Sequence, residues 1–270
     1  MPNLGTRAAR NLAAVKEKKP LIHNITNFVV MNTTANALLA MGASPVMAHC
    51  EKEVEEMVAL ASALVLNIGT LTEEWVSAMI TAGRKANALN IPVVLDPVGA
   101  GATVLRTESA KKIIDAVDIC VIRGNASEIL ALCNSASKTK GVDSMHAVEE
   151  AAGTAAILAR ELGTTLAITG PVDLVTDGAK TLRVANGCAL MAYVTGTGCA
   201  ASTVVGAFLA VDDRPVDAAA TALAFFGLAG QKAAQKAAAP GSFQTALLDA
   251  LYTLTPPELE AGAQIELTGA

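Results

Sequence analysis

Aromatic side chains are scarce in this chain: one Trp, two Tyr and five Phe make up 3% of 270 residues. With apolar residues at 52% overall, the core has to be built from Ala, Val, Leu and Ile, which means small side chains and closely packed helices. Charge is also sparse, at 17% of residues with a net of −5. Lys and Arg are scattered except for the KEKK group at 16–19, which reads as a solvated helix end. That distribution excludes a basic face for nucleic acid. The five cysteines, at 50, 120, 133, 188 and 199, are odd in number and contain no C-x-x-C pair. A disulfide frame and a structural zinc site are both disfavoured, and reduced thiols in a cytoplasmic protein are the simplest expectation. The first twenty residues lack the apolar centre of a secretory signal and read instead as an amphipathic helix stopped before Pro20. No G-x-x-x-x-G-K-[ST] element occurs, so an ordinary P-loop is ruled out.

What is present is alternation. Apolar runs of strand length fall at 21–24, 44–47, 63–67, 92–96, 119–122, 165–169, 174–176 and 181–184. Helical patterns fall at 31–41, 52–61, 72–89, 107–117, 126–132 and 145–162. Short buried strands alternating with helices imply an α/β fold, a mostly parallel sheet covered on both faces. Asp177-Gly178 between two apolar runs signals a hairpin. From Gly198 to about Leu251 the pattern is mainly helical, broken near Arg214-Pro215 and Pro240-Gly241. The Ala-rich stretch 216–239 lacks a heptad seam and reads as a packed surface helix. The Pro- and Glu-containing tail from Thr255 reads as loose. No repeat or linker interrupts the chain, so 1–270 is expected to form one domain.

Four stretches carry chemistry. Residues 184–211 contain no charged side chain. A run of that length could cross a bilayer, which takes ~20 residues as a helix. Yet it includes Asn186, Gly187, Thr195, Gly196, Thr197 and Gly198, and only 199–211 is helical in pattern, too short to span. The soluble reading makes Thr195-Gly196-Thr197-Gly198 a glycine-bracketed turn feeding a helix. Free amides and the positive end of the helix dipole would then face an anion, and carboxylates are missing because they would repel it. A tight loop packed on the sheet would look the same. The second stretch, IPVVLDPVGAGAT at 91–103, ends an apolar strand in Asp96, where ligands of open α/β sheets bind and where a carboxylate can hold Mg²⁺; an ordinary strand-ending turn is equally compatible. The third, VIRGNASEI at 121–129, offers Arg123 to a phosphate and Glu128 to a metal shell, or simply caps a helix through Asn125 and Glu128. The fourth, 21–49, is uncharged and rich in Asn and Thr, including Asn27, and ends near Met47. It suits a neutral ligand with polar edges. His23 and His49 read as structural.

HNITNFVV, GASPVMA, LVLNIGTL, VVLDPVGAGAT, RGNASEI, ITGPVD, VTGTGCA and PGSFQ, in that order, resemble the hydroxyethylthiazole kinase family of the ribokinase-like superfamily. The likeness covers about 15–250 and is weakest at 134–150. It implies ATP- and Mg²⁺-dependent phosphorylation of the hydroxyl of 4-methyl-5-(2-hydroxyethyl)thiazole in thiamine salvage. It also implies a homotrimer with sites at subunit interfaces. On the same likeness Met47, Gly196 and Asn27 line the thiazole pocket, Arg123 and Thr169 belong to the ATP site, and Asp96 and Glu128 are the metal-phosphate carboxylates. Gly196, Thr197 and Gly198 form the anion hole. Sugar kinases of this fold end the glycine motif in Asp; here it ends in Cys199, which puts a general base in doubt and suggests a residue that orients the hydroxyl. Other enzymes of the fold, such as pyrimidine or sugar kinases or an NAD(P)H-hydrate dehydratase, remain the alternatives, followed by a non-enzymatic binder.

Overall fold

The inner strands are apolar on both faces, and the structure shows why. In this computed structural model, which describes residues 3–133 and 147–269, successive side chains of a strand enter two different cores. Ala63 and Val65 join one cluster of buried residues, whereas Leu64 and Leu66 join the other. The same alternation splits Val94 from Leu95, Val121 from Ile122 and Ala167 from Ile168. A strand buried on both faces cannot carry an alternating polar pattern, which is what made these runs readable.

In chain order the elements are α1 (Leu4–Lys18), β1 (Leu21–Ile25), α2 (Met31–Met41), β2 (Ser44–Val46), α3 (Val54–Ala59), β3 (Ala63–Asn67) and α4 (Glu73–Ala88). There follow β4 (Val93–Asp96), α5 (Val104–Ala116), β5 (Val121–Asn125), α6 (Ala126–Cys133), α7 (Ala147–Leu162), β6 (Thr165–Thr169), β7 (Asp173–Thr176) and β8 (Thr181–Val184). A 3₁₀ turn at Ala189–Tyr193 leads to α8 (Thr197–Leu209), α9 (Pro215–Ala234), α10 (Pro240–Thr253), α11 (Pro256–Gly262) and β9 (Ile265–Gly269). The expected start of the seventh helix at Met145 lies outside the described residues.

The strands form a sheet of order β2-β1-β3-β4-β5-β6-β7-β8-β9. The pairs from β2 through β6 are parallel, and those from β6 to β9 antiparallel. Helices α1, α2, α8, α9 and α10 contribute to the core on one face. Helices α3 to α7 contribute to the core on the other. Helix α8 lies close over β1 and β3, because a Cβ at Gly206 would come within 2.8 Å of Val65 Cγ2. The hairpin expected at Asp177-Gly178 joins β7 to β8, with Gly178 at φ +86° and Asp177 Oδ1 accepting the Ala179 and Lys180 amides at 2.9 and 2.7 Å. Among the described residues no helix is long and apolar enough to cross a membrane.

Two expectations are corrected. The Ala-rich helix is not a surface helix: α9 is buried from Val216 through Gly227, because α1, α8, α10 and α11 all pack around it and alanine lets them come close. The tail is not loose. Thr255 and Glu258 form a capping box at the start of α11. Asn186 then fastens the chain at the far end of that helix, donating to Gly262 O at 2.9 Å and accepting from Gln264 N at 2.8 Å, so that β9 pairs with β8. Smaller differences are of one to three residues: β2 stops at Val46 instead of Met47, β5 runs on to Asn125, and α5 begins at Val104.

Candidate active site

The parallel strands β1, β3, β4, β5 and β6 all end on one edge of the sheet. Four of them close on a polar residue: β3 on Asn67, β4 on Asp96, β5 on Asn125 and β6 on Thr169. Register pairs Asn67 with Asp96 and Asn125 with Thr169, so neighbouring strand ends present their side chains side by side.

Asp96 is fully buried. Its Oδ2 accepts hydrogen bonds from Asn67 Nδ2 and Ser202 Oγ, each at 2.8 Å, and lies 3.7 Å from Arg123 Nη1. Its Oδ1 is buried with no partner among the described residues. Burial pushes the Asp96 carboxyl above its ordinary range, against the pull of the Arg123 guanidinium and the Ser202 and Asn67 donors. Arg123, on β5, donates to Thr169 Oγ1 while its Nε has no partner among the described residues. Its guanidinium lies under the start of α8: a Cβ on Gly198 would stand 2.8 Å from Nη1. Glycine is therefore needed at 198 for the charge to sit there.

The turn before α8 is built as the sequence suggests. Gly196 is its N-cap at φ +86°, and among the described residues no side chain caps the helix. A Cβ at Gly196 would meet Val30 Cγ1 at 2.9 Å, so both conformation and space require glycine. The amides of Thr197, Gly198 and Cys199 occupy the first turn, where intrahelical acceptors do not exist. The Thr197 hydroxyl turns back to Met191 O and Val194 O at 2.9 and 3.1 Å, so Thr197 offers its backbone amide and not its side chain.

Cys199 Sγ accepts from Asn27 Nδ2 at 3.6 Å. Burial, reinforced by the nearby Asp96 charge, pushes the thiol up to about 11. The lowering expected from the helix N-terminus is outweighed, because desolvation of a thiolate costs more than the dipole returns.

Glu128 lies in the first turn of α6 against Gly124, where a Cβ would stand 3.2 Å from its Oε2. Its Oε1 accepts from Gly99 N at 2.8 Å and its Oε2 from Asn125 N at 2.8 Å, while Glu128 N donates to Asn125 Oδ1 at 2.9 Å. The capping box and the tie to the DPVGAG loop are thus the same carboxylate. Gly99, at φ +76°, rests on Arg106, whose guanidinium donates to Ile68 O, Val98 O and Gly69 O at 3.0, 2.7 and 2.8 Å. Met47 stands one residue beyond β2, half-buried and outside this hydrogen-bonded set. His23 is buried, its Nε2 2.7 Å from Ala48 O; exposed His49 stacks on Trp75 with centroids 4.3 Å apart.

Sequence reasoning missed Asn67, Ser202, Arg106 and Asp173. Asn67 had a visible signal: LVLN-IG repeats the pattern of VVLD-PVG, an apolar strand closed by one polar residue. Asp173 accepts from Gly170 N at 2.9 Å, closing the turn beyond Thr169, and burial pushes its carboxyl up to about 6. No local pattern marked it.

A mostly parallel sheet with an anion-ready helix start beyond its carboxyl ends is the arrangement of ribokinase-like small-molecule kinases. The structure of Staphylococcus aureus pyridoxal kinase in complex with pyridoxal shares this fold, with a TM-score of 0.66 over 93% of this chain and 99% of that one at 18% identity. The chain belongs to the hydroxyethylthiazole kinase family, whose model matches residues 12–257. It is 62% identical over 270 residues to the hydroxyethylthiazole kinase of Desulfotalea psychrophila, covering 100% of this chain and 99% of that one. The solved structure of the hydroxyethylthiazole kinase protein from Pyrococcus horikoshii OT3 matches with a TM-score of 0.89 at 47% identity, covering 97% and 99% of the two chains.

Proposed function

We propose that this chain, acting as one domain, transfers the γ-phosphoryl group of ATP to the primary hydroxyl of 4-methyl-5-(2-hydroxyethyl)thiazole, giving the thiazole phosphate used in thiamine biosynthesis. Hydroxyethylthiazole kinase activity is that of the family to which it belongs. The observation that carries the mechanism is the convergence on one spot of uncapped α8 amides, the Arg123 guanidinium and the free Oδ1 of buried Asp96.

Phosphoryl transfer passes through a loose transition state and is catalysed mainly by positioning and by neutralising charge. The amides of Thr197, Gly198 and Cys199 supply fixed donors for the equatorial oxygens of the transferred group, and Arg123, held by Thr169, supplies positive charge. Asn27 and Met47 line the side from which the thiazole alcohol enters. The uncharged 21–49 stretch suits its neutral ring. Cys199, protonated at neutral pH, holds the attacking hydroxyl by hydrogen bonding. In the absence of a base, the hydroxyl proton passes to phosphate oxygen as the bond to phosphorus forms. Mg²⁺ fits these residues: Asp96 Oδ1 is a buried carboxylate oxygen without a partner, and this ion is commonly bound by one or two carboxylates, water and substrate phosphates. Glu128, with both oxygens on backbone amides, would act through water. Mg²⁺ would supply charge neutralisation on the phosphates.

The test is ADP release with a panel of alcohols: the thiazole alcohol, pyridoxal, a hydroxymethylpyrimidine and ribose. Turnover dominated by the thiazole alcohol and abolished by chelation supports the reading; preference for another alcohol by tenfold or more refutes it. Asp96→Ala should lose roughly a hundred- to thousandfold in kcat, as removal of a charge-stabilising group does. Loss of only a few fold would remove Asp96 from the mechanism.

A further inference from the structure

Two carboxamides connect Cys199 to Asp96, and backbone amides fix which way each of them points. Val29 N donates to Asn27 Oδ1 at 3.1 Å, so Asn27 must turn its NH₂ toward Cys199 Sγ at 3.6 Å and Asn67 Oδ1 at 2.8 Å. Gly69 N donates to the same Asn67 Oδ1 at 3.0 Å, so Asn67 must turn its NH₂ toward Asp96 Oδ2 at 2.8 Å. A flipped amide at either position would set oxygen against oxygen or N–H against N–H. The Asn27 side chain also needs glycine beside it, since a Cβ on Gly69 would stand 2.5 Å from Nδ2. Asn67 is buried, at 2% exposure.

The consequence falls on Asp96. Asn67 and Ser202 both bind Oδ2, and this pins the carboxylate so that Oδ1 alone remains free. We infer that Asn67 is a positioning residue of the transfer reaction. It selects which oxygen of Asp96 faces the reacting groups and, through Asn27, holds the sulfur of Cys199 as an acceptor, leaving the thiol hydrogen for the substrate oxygen. This inference rests on the functional reading above but assigns a role that none of the sequence motifs carried. A residue of this kind acts on kcat more than on KM, because it is buried and works through Asp96 and Asn27, and a misplacement of about 1 Å costs roughly a hundredfold in rate.

The experiment is a double-mutant cycle of Asn67→Ala with Asp96→Asn in the full-length chain. It is read on whichever alcohol of the panel turns over fastest, so that a wrong substrate assignment sinks the functional reading and leaves this test standing. Asn67→Ala should lower kcat roughly a hundredfold, with KM for ATP and for the alcohol changed less than threefold. In the Asp96→Asn background the same substitution should cost less than threefold, because its partner is already impaired. Asn67→Asp, which keeps the acceptor for Gly69 and Asn27 but replaces the donor with a second carboxylate oxygen, should lose as much as Asn67→Ala. It also serves if the alanine variant fails to fold. An Asn67 variant retaining kcat within threefold, or losing as much with Asp96→Asn as without it, would overturn the assignment.

Discussion

A thiol buried beside a carboxylate keeps its proton, and this makes Cys199 a testable point. With its pKa pushed up to about 11, roughly one molecule in a thousand carries the thiolate at pH 8. Alkylation by iodoacetamide at that pH, followed by peptide mass spectrometry, should therefore modify exposed Cys50 long before Cys199. Cys199 reacting as fast would contradict the protonated state. Cys199→Ser should retain kcat within about tenfold, since a hydroxyl can also orient the substrate; a loss as deep as that of Asp96→Ala would restore Cys199 as a base. Gly198 makes the complementary point. A methyl group there would collide with Arg123 Nη1 at 2.8 Å, so Gly198→Ala should raise KM for ATP and lower kcat, by roughly a hundredfold in kcat/KM if the guanidinium shifts by about 1 Å. Unchanged steady-state constants would show that Arg123 does not need that seat.

At the scale of elements, the chain ties its first helix to its ninth by buried charge. Arg7 of α1 donates through Nε to Asp212 Oδ2 at 2.7 Å, and Asn11 Nδ2 donates to the same oxygen at 2.7 Å. Lys180 pairs with Asp217, whose carboxylate also lies 3.7 Å from Arg7 Nε. Burial pushes the Asp212 carboxyl up, but the donors of Arg7, Asn11 and Arg214 outweigh it and hold it below its ordinary range. A depressed carboxyl contributes stability that is present above its unfolded value near 3.8 and lost as pH falls through the lower folded value. Asp212→Asn removes the nearer of the two buried carboxylates that face Arg7 and leaves Asp217 at 3.7 Å, so the cost should fall below the about 3–5 kcal/mol of a buried charge left wholly unpaired. Thermal denaturation at pH 7 should show a marked fall in Tm, and the gap to the unsubstituted protein should narrow toward pH 3. Equal melting at pH 7 would contradict the tie.

Elements also show where the sequence can be read and where it cannot. Strands buried on both faces advertise themselves as apolar runs, and β3, β4 and β6 lie within a residue of where those runs predict them. The glycine turn before α8 was legible because steric need leaves only glycine. The burial of α9 was not, because alanine gives the same pattern whether a helix faces water or four neighbours. β9 was hidden because it exists through pairing with β8 and through the Asn186 ties, both long-range. Asp96 and Arg123 stood out by type and place and Thr169 through the resemblance alone; the fold brings the three together. Asn67 and Ser202 were missed because uncharged polar residues acquire meaning only from the atoms they touch.

For the whole molecule, the homotrimer implied by resemblance stays a proposal, and the surface supports it. Phe28 and Val29, each 63% exposed, directly follow Asn27, and the Phe28 ring stands 4.8 Å from Trp75. A second copy covering that patch would close the substrate side of the site. Light scattering should give three times the 27.4 kDa chain mass, and Phe28→Asp should lower both the mass and the turnover. A monomeric, fully active protein would rule that interface out.

The proposed mechanism turns on the start of α8 seating the terminal phosphoryl group between Arg123 and Asp96. A crystal structure with the thiazole alcohol and a non-hydrolysable ATP analogue measures this directly. The γ-phosphate should lie within hydrogen-bonding distance of the Gly198 and Cys199 amides, with the alcohol oxygen in line and Asp96 Oδ1 turned toward them. A γ-phosphate bound elsewhere, with those amides facing only solvent, would contradict it.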